Sequence, residues 1–399
     1  MLRTLALKNW LNMKRFAVAV IAALLISSQP AGAAPKTIAA IEITKVSDIA
    51  EHEGVTISGQ GITIFSNSEK KVLVSSIDFS GAEKWKLVIE GSADQIAMAA
   101  TSDREGNTWL AGLTSAVEAV ESQSATSTPV NVDGVVVEPV PGLRNELNTV
   151  TLWKISATGS LVGTYSESAT SPLLITAISH SSSGISILGD RGAGTVLINS
   201  TLTGKFSTAA TIGTSKSAFT SIVRNGDGSA QIYGASSETL GGKKLVGVRD
   251  GILAKVNKSG VLTSVVRSSA NRATRSWQSA TSTYFLVGDV KVSGKNESAF
   301  TKFNASFAPT WTLRLPSQVA QLAAVAANGA HYALFNSSSS IPGVTGWKPS
   351  TPTPIVLRFD SKGVITQALK ASQVTGAKAM THIAGVGIVI VSQAGIFKG

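Results

Sequence analysis

His52, His180, His331 and His382 are the side chains of this sequence best suited to proton transfer or metal ligation near neutral pH. Each occurs singly, and none stands in a ligand spacing such as His-Glu-x-x-His, so they read as ordinary surface or turn histidines. Two short segments set oxygen ligands at alternate positions as a calcium loop does: Asp103, Glu105 and Asn107, then Asn225, Asp227 and Ser229. Neither carries the later bidentate glutamate, and both fall where a hairpin turn is needed. With no cysteine, the chain has no thiol nucleophile, no disulfide and no thiolate zinc site. It also lacks a nucleophile elbow, a phosphate-cradling loop and a dinucleotide fingerprint. The expectation is no catalytic residue, no metal site and no cofactor. One residue is a candidate for ligand binding. Trp347 sits in a polar, proline-rich segment where an indole could stack on a sugar or an aromatic ligand. The competing reading is that it folds back onto the body of the protein as a local anchor.

The elements that would position such residues come from a repeat. One unit is an alternating apolar strand followed by a polar turn that closes on glycine, at Gly81, Gly159, Gly260 and Gly363. Weaker copies end at Gly204 and at Phe307, where the turn glycine is lost. A second unit, two strands joined by a glycine-containing turn, is clearest over 97–112 and recurs over 55–65, 175–189, 220–234, 276–288, 320–335 and 377–391. Period-two alternation marks half-buried strands, and Asn/Asp-x-x-Gly is hairpin chemistry. The two units alternate every ~45–56 residues, which makes four strands per repeat, the size of one β-propeller blade. No segment after the N-terminal region carries a long helical stripe. The only short helix expected lies over 116–122.

The predicted fold is therefore all-β: a propeller of four-stranded antiparallel blades, seven favoured and six the alternative. The spare strands over 41–46 and 395–398 would close the ring from both termini.

The N-terminus reads as a secretory signal. Lys14 and Arg15 precede a short apolar run over 16–28, and a small-x-small cleavage pattern ends at Ala33. Residues 1–33 are assigned to the signal peptide and 34–399 to a single propeller domain; translation starts at Met1 or Met13. The apolar run is too short to span a bilayer. Removing the four bases Arg3, Lys8, Lys14 and Arg15 lowers the net charge from +11 to +7. That is a mild positive balance over a surface rich in Ser, Thr, Asn and Gly.

These motifs resemble a bacterial β-propeller repeat family known as SBBP. Its pattern runs Gly-Asn-x-aromatic-aliphatic-Ala/Thr-Gly-x-Thr, then aliphatic-Lys-aliphatic-Asn/Asp-x-x-Gly. Residues 106–114 fit the first part and 250–260 the second, with a further copy over 298–304. The closing glycine of the first part is present at Gly112, Gly189, Gly234 and Gly288 and absent from three copies. The resemblance implies a propeller in an extracytoplasmic setting and no catalytic residues.

In a four-stranded blade the short turns share one face of the disc and the long connections share the other. The long ones run over 113–148, 236–250 and 336–354, the first being an insertion with a small hairpin at Asp133-Gly134. Long loops on a rigid scaffold are common binding sites, so a ligand is expected on that face. The function expected is an exported, non-enzymatic scaffold of the cell envelope or exterior, binding a protein or glycan there. The alternative is an exported propeller lyase or hydrolase working at the central channel; a surface protein with no soluble ligand is a third reading. Lys243-Lys244 and Arg272 with Arg275 are isolated and not interleaved with aromatics, which argues against nucleic acid. Trp85 and Trp311, each four residues after an equivalent turn position, are expected to pack between blades.

Overall fold

The computed structural model describes residues 37–68, 70–91, 93–115, 146–326 and 329–399. The proposed signal peptide, the short helix over 116–122 and the Asp133-Gly134 hairpin lie outside the described residues. Residues Ile38–Gly399 form one compact unit. Among the described residues there is no α-helix, and none therefore long and apolar enough to cross a membrane.

Two strands come first, β1 (Ile38–Glu42) and β2 (Thr44–Ser47). The first four-stranded sheet follows as β3 (Gly54–Ser58), β4 (Gly61–Ser68), β5 (Lys71–Ile77) and β6 (Glu83–Glu90). The second holds β7 (Gln95–Ser102), β8 (Thr108–Thr114), β9 (Thr149–Ile155) and β10 (Leu161–Ser168). The third holds β11 (Leu174–Ser181), β12 (Gly184–Asp190), β13 (Thr195–Ser200) and β14 (Ala210–Ile212). The fourth holds β15 (Ser217–Arg224), β16 (Ala230–Ser236), β17 (Asp250–Val256) and β18 (Leu262–Ser268). Next come β19 (Thr274–Ala280), β20 (Phe285–Val292), β21 (Lys295–Phe303) and β22 (Pro309–Val325), then β23 (His331–Ser337), β24 (Val344–Thr345), β25 (Thr353–Phe359) and β26 (Ile365–Lys370). The chain ends with β27 (Ala377–Ile383), β28 (Gly387–Ser392) and β29 (Gly395–Lys398).

Within each four-stranded set the pairing is antiparallel. The first strands of the sets form a closed circuit. β3 touches β7, β7 touches β11, and the contacts pass through β15, β19, β22 and β27 back to β3. Antiparallel sheets standing radially about such a circuit define a β-propeller. The expected count of separate blades, seven or else six, needs correction. Five four-stranded sheets stand alone, and the remaining strands form one nine-stranded sheet. The physical reason is β22, which runs unbroken for 17 residues. Its first half pairs with β21 as far as Pro316, and its second half, from Ser317, pairs with β23, so no turn separates the two sets.

The termini meet. β2 pairs antiparallel with β29 and completes the sheet β27–β28–β29, while β1 adds a parallel strand to β26. Both spare segments are thus consumed at the seam.

The turn chemistry explains the repeat. At each third-to-fourth-strand turn a side-chain oxygen accepts the amides two and four residues on, or the latter alone. Asp78 Oδ1 takes Ser80 N and Ala82 N, Asn257 Oδ1 takes Ser259 N and Val261 N, and Ser156 Oγ takes Ser160 N. The residue between must adopt positive φ, as Gly81 does at 91° and Gly363 at 83°. Phe307 holds φ 62° without being glycine. Its ring is buried edge-on between Tyr233 and Tyr284, which offsets the backbone cost.

Those glycines serve a second purpose. A Cβ on Gly159 would lie 2.6 Å from the Trp85 ring, and one on Gly363 would lie 2.5 Å from Trp311. The same tryptophans donate Nε1–H to Ala157 O at 3.0 Å and Ser361 O at 3.1 Å. Each indole lies flat on the turn of the next sheet, as expected of packing residues between blades.

His331 corrects the surface reading of the histidines, as does the buried His52. His331 is only 2% exposed and stacks on Phe285 with ring centroids 4.7 Å apart. Burial, reinforced by the charge of Lys302, pushes its pKa down to about 4. The unfolded chain takes up this proton near pH 6.5, whereas the folded state resists it until about pH 4. The site's contribution is therefore complete above pH 6.5 and fades as the pH falls towards 4. Across that window His331→Phe should lose on the order of 2–3 kcal/mol less stability than the wild type, read as urea midpoints at pH 7 and pH 4. Equal losses in the two proteins would refute this.

Candidate functional site

A cleft of about 640 Å³ opens where the first-to-second-strand turns of the first four sheets converge. Its walls come from the end of β3 at Ser58, the turn after β7 at 102–105, the turn after β11 at 180–182, and Arg224 at the end of β15. This is the short-turn face of the disc, opposite the face expected from loop length. The architecture supplies the cleft directly, because each of the four inner strands ends at this face and brings its terminal residues to the wall.

Four basic side chains, Lys154, His180, Arg224 and Arg104, line it together with the acids Asp103 and Glu105. Lys154 lies over the Trp109 ring with Nζ 5.1 Å from the centroid, and His180 stacks on the same indole at 6.4 Å. Trp109 itself is fully buried, so it supports these groups rather than offering a platform to a ligand. Burial lowers the His180 pKa below its ordinary value, with Asp103 pulling the other way, so the ring is neutral at pH 7. Arg224, 9% exposed, donates from Nη1 to Ser186 Oγ and Asn199 Oδ1, both at 2.8 Å, and from Nη2 to Ser183 O at 3.3 Å. All three acceptors are neutral. Its pKa is lowered by burial, the opposing pull coming from Asp227. Arg104 stands exposed at the rim.

The acids around the cleft are engaged elsewhere. Asp103 accepts Glu105 N, Asn107 N and Asn107 Nδ2; Glu105 also accepts from Asn107 Nδ2; Asp227 accepts Ser229 N and Oγ. These are the two segments with calcium-like spacing, and their oxygens serve hairpin turns. Among the described residues no three His, Cys, Asp or Glu are grouped so as to hold a metal ion. Nothing here is arranged as a nucleophile with its base.

Trp347 lies elsewhere. It is 7% exposed and packs in a cluster with Ala40, Ile341 and Val344, so β1 and the 336–354 segment are joined around its ring. Of the cleft residues, His180 reads from sequence as an ordinary surface or turn histidine, and Lys154 and Arg224 are not singled out there. A signal for Lys154 does exist: it is the lysine of the aliphatic-Lys-aliphatic repeat, equivalent to Lys255 and Lys302. No comparable periodic signal marks Arg224.

No family model matches the chain, and no curated protein is similar to it in sequence. Solved structures match the fold. The WD40 domain of coronin from Toxoplasma gondii superposes with TM-score 0.50 and 9% identity over 92% of this chain and 86% of that one. The Dos1 propeller gives TM-score 0.48 and 10% identity over 90% and 83%. An uncharacterized protein from Listeria monocytogenes EGD-e gives 0.46 and 11% over 91% and 97%. At such identities the likeness concerns fold alone. The chain is a β-propeller.

Proposed function

We propose that this chain is an exported, non-enzymatic binding scaffold of the cell envelope or exterior that holds its protein or glycan partner in the turn-face cleft. The observation that carries the reading is the cleft itself, a preformed concavity of a size suited to a small ligand, lined by hydroxyls, by acids turned into their own hairpins and by the cations Lys154 and Arg224, neither of which forms an ion pair among the described residues. A ring of seven blades belongs to the same proposal. Counting the nine-stranded sheet as two blades sharing β22 gives one blade for each strand of the inner circuit. Descent from SBBP-like repeats is supported by the motif copies and by their placement on equivalent strands. Export is supported by the sequence of residues 1–33, and N-terminal sequencing of protein recovered outside the cytoplasm should begin at Ala34.

A second reading places a protein partner on the long-loop face. It is favoured by Val246 and Val248, 57% and 62% exposed on a connection that is firmly anchored. The absence of cysteine makes the two readings separable. Ser182→Cys and Lys244→Cys each introduce a single thiol, one on each face, for coupling to a bulky maleimide. On an array of envelope glycans, blocking residue 182 should abolish binding and blocking residue 244 should leave it intact. The reverse pattern would move the site to the long loops, and no binding by the unmodified protein would refute a glycan-binding scaffold.

A further inference from the structure

We propose that the turn-face cleft is selective for an anionic saccharide, one whose carboxylate or phosphate group is bound between Lys154 and Arg224. The inference rests on reading that cleft as the binding site and adds the chemical class of its ligand.

Three observations carry it. First, Arg224 is a nine-tenths buried cation with no carboxylate partner among the described residues, and its Nε–H has no acceptor. A buried charge is ordinarily paired, because removing it from water without a counter-ion costs several kcal/mol. Ser186, Asn199 and Ser183 satisfy three of its N–H groups but carry no charge, which leaves only the more distant pull of Asp227 against its own. A ligand anion would supply what the protein omits.

Second, Lys154 departs from its own repeat. The equivalent Lys255 donates to Ala305 O at 2.6 Å and Lys302 donates to Phe303 O at 2.6 Å, each while lying over an aromatic ring. Lys154 keeps the ring, Trp109, but has no hydrogen-bond acceptor among the described residues. Where the lysine does not line the cleft, at 255 and 302, it is tied to a carbonyl. At 154, on the cleft wall, it is left with three donors to offer.

Third, Asp103 and Glu105, which share the cleft wall, and the nearby Asp227 turn their oxygens to the amides and side chains of their own hairpins, as described above. They keep their charge, but among the described residues none forms an ion pair with Lys154 or Arg224, so both cations remain open to a ligand anion. The cleft's volume suits a short oligosaccharide better than the flat contact of a folded protein, and Ser58, Ser102, Ser181 and Ser182 around the rim provide hydroxyls suited to sugar hydrogen bonds.

The test is calorimetric titration of the full mature chain with trigalacturonate, with its neutral methyl ester, and with an oligomer of glycerol phosphate. Trigalacturonate or the phosphate oligomer should bind, the better of the two identifying the anion's source, and the methyl ester should bind at least about tenfold more weakly. Lys154→Gln should weaken the anionic ligand by about tenfold, whereas Lys255→Gln, at the structural position, should leave affinity unchanged. Arg224→Lys keeps the charge but removes the fork, and should weaken binding while preserving the folded near-UV spectrum. Equal affinity for trigalacturonate and its ester, or indifference to Lys154→Gln, would overturn the anionic assignment while leaving a glycan scaffold standing. Inorganic phosphate competing as well as either oligomer would overturn the saccharide part. If none of the three probes binds, the anionic assignment is overturned; the glycan array then decides separately whether the cleft binds anything.

Discussion

Asp250→Asn should cost this protein about 3–5 kcal/mol of stability, the loss typical of a buried ion pair deprived of one partner. Asp250 is fully buried, and Arg267, whose side chain is 6% exposed, donates Nη1–H to Asp250 Oδ2 at 3.0 Å. The carboxylate also accepts Val246 N at 3.0 Å and Gly247 N at 2.9 Å. The guanidinium donates in addition to Lys243 O at 3.1 Å and to Glu238 O. One ion pair thus fastens both ends of the connection between β16 and β17 to the body of its sheet. An amide in place of the carboxylate would keep the shape and one acceptor but leave the arginine charged, buried and unpaired. Urea unfolding reads the loss, and trypsin should cut at Lys243 or Lys244 in the variant under conditions that leave the wild type intact. Asp250→Leu combined with Arg267→Met should recover most of the stability, because an apolar pair carries no desolvation cost. A single variant within about 1 kcal/mol of the wild type would show that water already reaches the pair.

Gly234→Ala should be at least as damaging, by about 3 kcal/mol or more, at the severe end for overpacking in a core. A Cβ at Gly234 would lie 2.1 Å from Ala218 O and 2.7 Å from Phe219 Cα. Both are backbone atoms, and backbone cannot give way as the tip of a side chain can. The crowding has a definite origin. β15 carries a bulge between Phe219 and Ser221, which bends the inner strand towards β16 at the point where Gly234 pairs with Phe219. Thr220, the extra residue, donates Oγ1–H to Trp277 O of the next sheet at 2.9 Å, so the bulge is tied into the ring. Loss of the glycine should lower the urea midpoint, and Gly288→Ala should match it, since its Cβ would lie 2.1 Å from Ser276 O. A stable Gly234→Ala protein would mean that the bulge can be absorbed without cost.

The same bulge shows what was legible in the sequence. Closing glycines at 112, 189, 234 and 288 each lie opposite a bulge of an inner strand, so their spacing reports the architecture, while β22 and β27 bulge opposite Phe335 and Ser392 and leave no glycine to read. In the first sheet the signal vanishes for a reason that sequence alone does not disclose. β3 has no bulge, Phe65 takes the glycine's place, and Gly54 across the pair provides the room. The blade count was obscured by the loss of a single turn. At residues 316–317 the chain passes from one set of strands to the next inside a single strand, although Pro316 and Ser317 are residue types that commonly mark a turn. The cleft was harder still to foresee. Loop length pointed to the opposite face, but the cleft is built from terminal residues of four separate inner strands, and only the ring brings Ser58, His180 and Arg224 together. Trp347 illustrates the converse. Among prolines and serines it could stack on a ligand or fold back as an anchor, and what the sequence alone does not reveal is the partner, β1, remote in sequence, whose Ala40 joins its cluster.

Pairing β2 with β29 also sets a timetable. In the order of synthesis β2 precedes every blade strand and β29 follows them all. At ~5–20 residues per second, β2 waits on the order of tens of seconds with both edges open before Gly395–Lys398 arrives. Each central sheet can form by local hairpins in the meantime, but the circuit cannot close until β29 has been made. A product truncated before Gly395 would keep its local hairpins and carry an unpaired sheet edge at the seam. Quality control for such a molecule reduces to whether that four-residue strand was made.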